Sequence, residues 1–67
     1  MPAITIQSTK MTEAQKGIIA EKVTRIFSQV TNVPEDRIQV YFDSYPLESV
    51  ARSGRLYSKN TPKYLEK

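Results

Sequence analysis

The chain has 67 residues, 39% of them apolar, and carries ten Lys and Arg against seven Asp and Glu, a net charge of +3. With no cysteine and no histidine, it excludes disulfides, a cysteine nucleophile, a Ser-His-Asp triad and the common zinc sites, so neither a metal nor a cofactor is expected. One small domain over residues 1–67 is expected, and since domains of this size bury only about 60% of their unfolded surface, oligomerisation is the expected reinforcement.

Pro2 stands directly behind Met1. Removal of Met1, expected ahead of a small second residue, leaves a secondary amine on a rigid ring. Ala3 to Ser8 then alternates Ile4 and Ile6 with Thr5 and Gln7, the period of a strand with one more apolar face. Thr12-Glu13-Ala14-Gln15 fits a capping box, in which the Thr hydroxyl accepts from the third helical N–H and Gln15 reaches back. From there to Thr31 the residues Ile19, Val23, Ile26, Phe27 and Val30 recur at spacings of three and four, which predicts a helix with one buried stripe. Lys16, Glu21, Lys22 and Arg25 fall mostly outside it, and Glu21 and Arg25 are spaced to pair. Gly17 inside the helix costs about 1 kcal/mol relative to Ala, and a close approach by a neighbouring element is its expected reason.

The helix is expected to stop near Asn32, which tolerates a left-handed C-terminal cap, with a turn at Pro34-Glu35-Asp36. The adjacent carboxylates of that turn read as solvated charges. A second strand is predicted over Ile38 to Ser44, with Ile38, Val40 and Phe42 on one face and Gln39, Tyr41 and Asp43 on the other. Two strands joined by one long helix make a βαβ unit, so the strands should be parallel neighbours. Leu47 to Gly54 reads as a loop with a single helical turn, Arg55-Leu56-Tyr57 as a short third strand, and 60–67 as a mobile tail. The fold class is therefore α+β. A two-stranded sheet leaves edges and a face uncovered, which again calls for a partner subunit.

The positive charges are spread along the chain without a dense stripe or a nucleic-acid reading motif, so no nucleic-acid partner is expected. They suit an anionic small molecule. The longest apolar run falls far short of the roughly 20 residues that span a bilayer, and the N-terminus lacks the regions of a signal peptide; the expectation is a cytoplasmic protein with no membrane partner. Gly17 and Gly54 cannot form a phosphate-cradling loop. The amine of Pro2 is thus the one group with obvious chemistry. A peptide α-amine titrates near about 8, and an apolar pocket or neighbouring cations disfavour its charged form, moving it towards neutrality. A base poised there contributes typically about a hundredfold to ten-thousandfold, and the same neutral amine can attack a carbonyl.

Met1-Pro2, the first strand, Thr12 to Lys16 opening one long helix, the second strand at Ile38 to Ser44, and Ser53-Gly54 ahead of a short hairpin together resemble the small subunits of the 4-oxalocrotonate tautomerase family, over residues 2 to about 59. The resemblance implies βαβ subunits with a short C-terminal hairpin, pairing into a four-stranded sheet per dimer. It further implies a homohexamer built as a trimer of dimers, although a lone dimer also satisfies the edge argument. It implies Pro2 as general base for keto-enol proton transfer on a small enol or keto acid.

Relatives apply the same proline to decarboxylation or to hydration of haloacrylates, and a non-enzymatic oligomer that lost the site is a further alternative. The family's loop arginine, which binds a substrate carboxylate, is replaced here by Lys10-Met11 in a loop one residue shorter. Its strand-two arginine, which polarises the substrate carbonyl, falls on Gln39, and its pocket aromatic on Val50. Tyr41 is placed to restore aromatic surface, and Arg52 or Arg55 to restore charge. With those replacements the expected substrate is other than the diacid 2-hydroxymuconate.

Overall fold

The structure, a computed structural model, describes residues 2–61. Strand β1 (Ala3–Ser8) leads into helix α1 (Glu13–Thr31), and strand β2 (Gln39–Ser44) returns beside β1 in parallel. A short hairpin follows, β3 (Ala51–Arg52) and β4 (Arg55–Leu56). The βαβ unit and the hairpin are the predicted architecture.

Local chemistry explains each boundary. Thr12 is extended and accepts from the Gln15 N–H at 3.1 Å, while Gln15 Oε1 accepts from the Thr12 N–H at 2.9 Å. This capping box satisfies two of the helix's orphan donors. At the other end Asn32 turns left-handed at φ 65° with its N–H on the Ser28 carbonyl, and the Ser28 hydroxyl donates to the Val33 carbonyl at 2.6 Å. Both ends of α1 are those that the residue types predict.

Strand β2 begins one residue later than predicted. Ile38 closes a 3₁₀ turn over Glu35–Arg37, donating its N–H to the Glu35 carbonyl, so the ladder starts at Gln39. A second 3₁₀ turn, Leu47–Ser49, occupies the loop where a single helical turn is predicted. In the hairpin, Ser53-Gly54 is the turn itself and does not precede the hairpin; both residues have positive φ, 55° and 76°. Two left-handed residues make the two-residue turn whose twist matches paired strands. The expected strand at Arg55-Leu56-Tyr57 accordingly shortens to Arg55–Leu56, and Tyr57 donates its N–H back to the Val50 carbonyl at 2.8 Å. Asn60 bonds back to the Leu56 carbonyl and the Thr61 hydroxyl to the Tyr57 carbonyl. The rest of the expected tail, residues 62–67, lies outside the described residues.

Strand alternation divides the sheet as expected. Ile4, Ile6, Val40 and Phe42 are half-buried towards α1, and Ala3, Thr5, Gln7, Gln39, Tyr41 and Asp43 are exposed on the open face. The buried helical stripe is corrected: no described residue is fully buried, Ile26 is 60% exposed and Val30 77%. Two strands are too narrow to cover a helix of 19 residues, which leaves an apolar hollow between Ile4, Val23, Ile26, Phe27 and Val30 open. Gly17 is corrected likewise, since an added Cβ would meet no atom within 4 Å.

Candidate active site

The parallel register decides what surrounds Pro2. Ala3 pairs with Gln39, and the Gln39 N–H donates to the Pro2 carbonyl at 3.0 Å. This bond pins the half-buried proline to the start of β2. Arg37 ends the 3₁₀ turn two residues before Gln39, so an arginine stands at the Pro2 end of the sheet. Sequence reasoning left Arg37 unassigned, between the turn at Pro34-Glu35-Asp36 and the strand predicted from Ile38. The signal was its position immediately ahead of the strand that pairs beside Pro2, and reading it required the register.

Gln39 lies on the open face with Tyr41, two residues along the strand. The Tyr41 hydroxyl donates to Gln39 Oε1 at 2.8 Å. These two candidates are therefore brought together, at the same end of the sheet as Pro2.

The remaining candidates lie elsewhere. β1 contributes six residues between Pro2 and the loop bearing Lys10, and at about 3.3 Å per residue that separates the two by roughly 20 Å. Lys10 lines a hollow with Ser8, Thr9, Met11 and Gln15. Ser8 and Thr9 also line a cavity of about 620 Å³ that Val50, Tyr45, Ser49 and Tyr57 help enclose. Lys10 and Val50 thus border two adjoining hollows, joined through Ser8 and Thr9, at the far end of the strands. Among the described residues that cavity is walled by tyrosines, hydroxyls, the Gln7 amide and small apolar side chains, and none of these is charged. Tyr45 is held there by its N–H on the Ser8 carbonyl at 2.8 Å.

Arg52 and Arg55 are direct partners across the hairpin. Val50, Ala51 and Tyr57 around them line the cavity, and neither arginine does. Arg55 instead borders a separate hollow with Gly54, Leu56, Lys59 and Asn60. Like charges directly opposite in a ladder disfavour pairing, and no ion pair within the described residues relieves them; the ion pair found there is Arg25–Glu21, exposed on α1 at 3.2 Å. No group of three or more Asp or Glu among the described residues is arranged to hold a metal ion, and no helix there is long and apolar enough to cross a membrane.

In one chain, then, the candidates form two groups at opposite ends of the strands: Pro2, Arg37, Gln39 and Tyr41 at one, and Lys10 with the Val50 cavity at the other. The first sets Pro2 at the end of the sheet that also carries the Arg37 cation and the Gln39 carboxamide. The second can enclose an uncharged or singly charged small molecule.

Comparison with known proteins agrees with this architecture. The family described as "Tautomerase enzyme" matches residues 2–60. A probable tautomerase of Bacillus cereus is 36% identical over 59 residues, 87% of this chain and 97% of that protein, and a probable tautomerase of Bacillus anthracis matches equally. Among solved structures, YwhB, a homologue of 4-oxalocrotonate tautomerase, superposes with a TM-score of 0.80 at 28% identity, over 85% of this chain and 95% of its own. TomN, a 4-oxalocrotonate tautomerase homologue of the tomaymycin biosynthetic pathway, shares the fold with a TM-score of 0.84 at 17% identity, over 88% and 92%. On the family match and the shared βαβ-hairpin fold, this chain belongs to the tautomerase family.

Proposed function

We propose that this protein is a tautomerase in which Pro2, freed of Met1, is the general base for keto-enol proton transfer on a small carboxylated substrate. The neutral amine takes the proton from the enol hydroxyl and becomes a secondary ammonium. It then returns that proton to carbon, so the ketone forms and the free base is restored. The observation that carries this reading is the Gln39 N–H on the Pro2 carbonyl. It holds the proline in place through its carbonyl and leaves the nitrogen at the end of the strand.

The substrate we infer is a monoacid and not 2-hydroxymuconate. A single amide at Gln39 stands where the family carries a cation, and the described residues that line the cavity are uncharged. A second carboxylate placed against Gln39 would meet an amide and no cation, and would recover less of its desolvation cost.

The complete site is proposed to form between copies. The free edges of a two-stranded sheet and the exposed Ile26 and Val30 favour pairing with a second chain. Two copies joined edge to edge and antiparallel make a four-stranded sheet, and this sets the Pro2 end of one against the cavity end of the other. Pro2, Arg37 and Gln39 would then face Lys10, Val50 and the tyrosines of a partner. Arg52 and Arg55, which do not line the cavity, are left to contacts between such dimers, as in a homohexamer.

The test is Pro2→Ala, assayed on phenylenolpyruvate after mass spectrometry has established removal of Met1. Turnover is expected to fall about a hundredfold to ten-thousandfold with the oligomer unchanged. Equal activity in the variant would sink the proposal, and a protein that retains Met1 would have an amide at Pro2 and no base. Faster consumption of a β-keto acid or a haloacrylate than of any enol would assign the same proline to a lyase or hydratase.

A further inference from the structure

We propose that Tyr41 is a positioning residue, which fixes the Gln39 carboxamide so that position 39 acts as an uncharged N–H donor to the oxygen that becomes negative during proton transfer. The inference rests on the proline-base reading for its catalytic consequence, and on the Tyr41–Gln39 hydrogen bond for its geometry.

Gln39 and Tyr41 follow one another on the open face of β2, and alternation sets their side chains on the same side. The phenol donates to Gln39 Oε1 at 2.8 Å. An unrestrained glutamine can present either its oxygen or its nitrogen to a ligand. With the oxygen occupied by Tyr41, the carboxamide is left with both Nε2–H bonds to offer. Both residues are exposed, so the phenol is the one side-chain group, among the described residues, that holds this amide.

The chemistry of the reaction makes orientation matter. As the proton moves between oxygen and carbon, negative charge gathers on the substrate oxygen, and a donor already aimed at it stabilises that charge without reorganising. A glutamine whose oxygen faced the same atom would repel it. In the observed arrangement, with the phenol donating to Oε1, it is the Nε2–H end of the carboxamide that stays available. The substrate class follows: a carbonyl or enolate oxygen suits an amide donor at this subsite, whereas a second carboxylate there would lack a counter-charge.

The experiment compares wild type, Tyr41→Phe, Gln39→Ala and the double variant, with phenylenolpyruvate as substrate, alongside the ¹⁵N-resolved side-chain amide of Gln39. Tyr41→Phe keeps the ring and removes the hydroxyl. It is expected to lower kcat about fivefold to tenfold with KM nearly unchanged, and to broaden or shift the Gln39 amide signal towards that of a free glutamine. Gln39→Ala should cost about a hundredfold in kcat, and the double variant should be no slower than Gln39→Ala alone. Unchanged kcat in Tyr41→Phe, additive losses in the double variant, or an unaltered Gln39 amide signal would each overturn the proposal. Full activity in Pro2→Ala would instead remove the proline reading, and the amide signal would still decide whether Tyr41 holds Gln39.

Discussion

Gln39 links Pro2 to Tyr41 at the level of single residues: its backbone N–H secures Pro2 and its side chain is secured by Tyr41. Both bonds come from one residue, so its substitution tests more than one contact. Its backbone role survives any side chain, which is why Gln39→Ala is expected to leave Pro2 in place. Arg37 contributes differently. It is exposed, at the Pro2 end, and outside any ion pair found within the described residues. On the proposed reading its guanidinium attracts the substrate carboxylate. Arg37→Gln is then expected to raise KM about tenfold with kcat nearly unchanged, as charged hydrogen bonds are worth about 1.5–3 kcal/mol before solvent screening. Steady-state kinetics on a carboxylated enol checks this, and an unchanged KM would return Arg37 to the solvated surface. Pro2 was legible in the sequence as a reactive group because its chemistry is its own. Arg37 was not, because nothing local to Glu35-Asp36-Arg37 reports which strand end lies beside it.

At the scale of elements, α1 is the piece most completely written in local sequence. Its N-terminal capping box, its left-handed Asn32 and its apolar spacing all act within four residues. Thr12→Ala removes the hydroxyl that accepts the Gln15 N–H, and a loss of about 1 kcal/mol is expected in denaturant unfolding. Gly17 behaves in the opposite sense. Open space around it means that Gly17→Ala should stabilise the protein by about 1 kcal/mol through helix propensity. A loss in place of that gain, growing with protein concentration, would mark a second copy lying against Gly17. The hairpin was less legible. Ser53-Gly54 announces a turn, but only the pairing of Ala51 with Leu56 and Arg52 with Arg55 makes it a two-residue turn with short strands on both sides.

For the whole molecule the decisive fact is that no described residue is fully buried. A helix packed on two strands leaves Ile18, Ile26 and Val30 more than half exposed, and each buried side chain of this kind contributes roughly 1.5–3 kcal/mol when covered. A chain that has not covered them alone is expected to do so in an assembly. Stability should therefore rise with protein concentration, by mass action. Val30→Glu places a charge on that face and is expected to dissociate the assembly and abolish cooperative unfolding at low concentration, as read by light scattering and thermal melts. An unchanged molar mass in the variant would leave Val30 outside the interface.

Amino-acid order alone determined β1, α1 and β2 and their order, the helix caps, the inward and outward residues of those two strands, and the candidate base, because capping and periodicity are settled by neighbours within a turn of chain; β3, at Ala51–Arg52, fell inside a predicted loop. The pairing register decided the rest. It joined Gln39 to Pro2 across the chain and set Arg37 at the Pro2 end of the sheet. It also separated Pro2 from Lys10 and Val50 by the length of a strand. Register depends on contacts between residues more than thirty apart, such as Ala3 and Gln39, and spacing along the sequence carries no record of them.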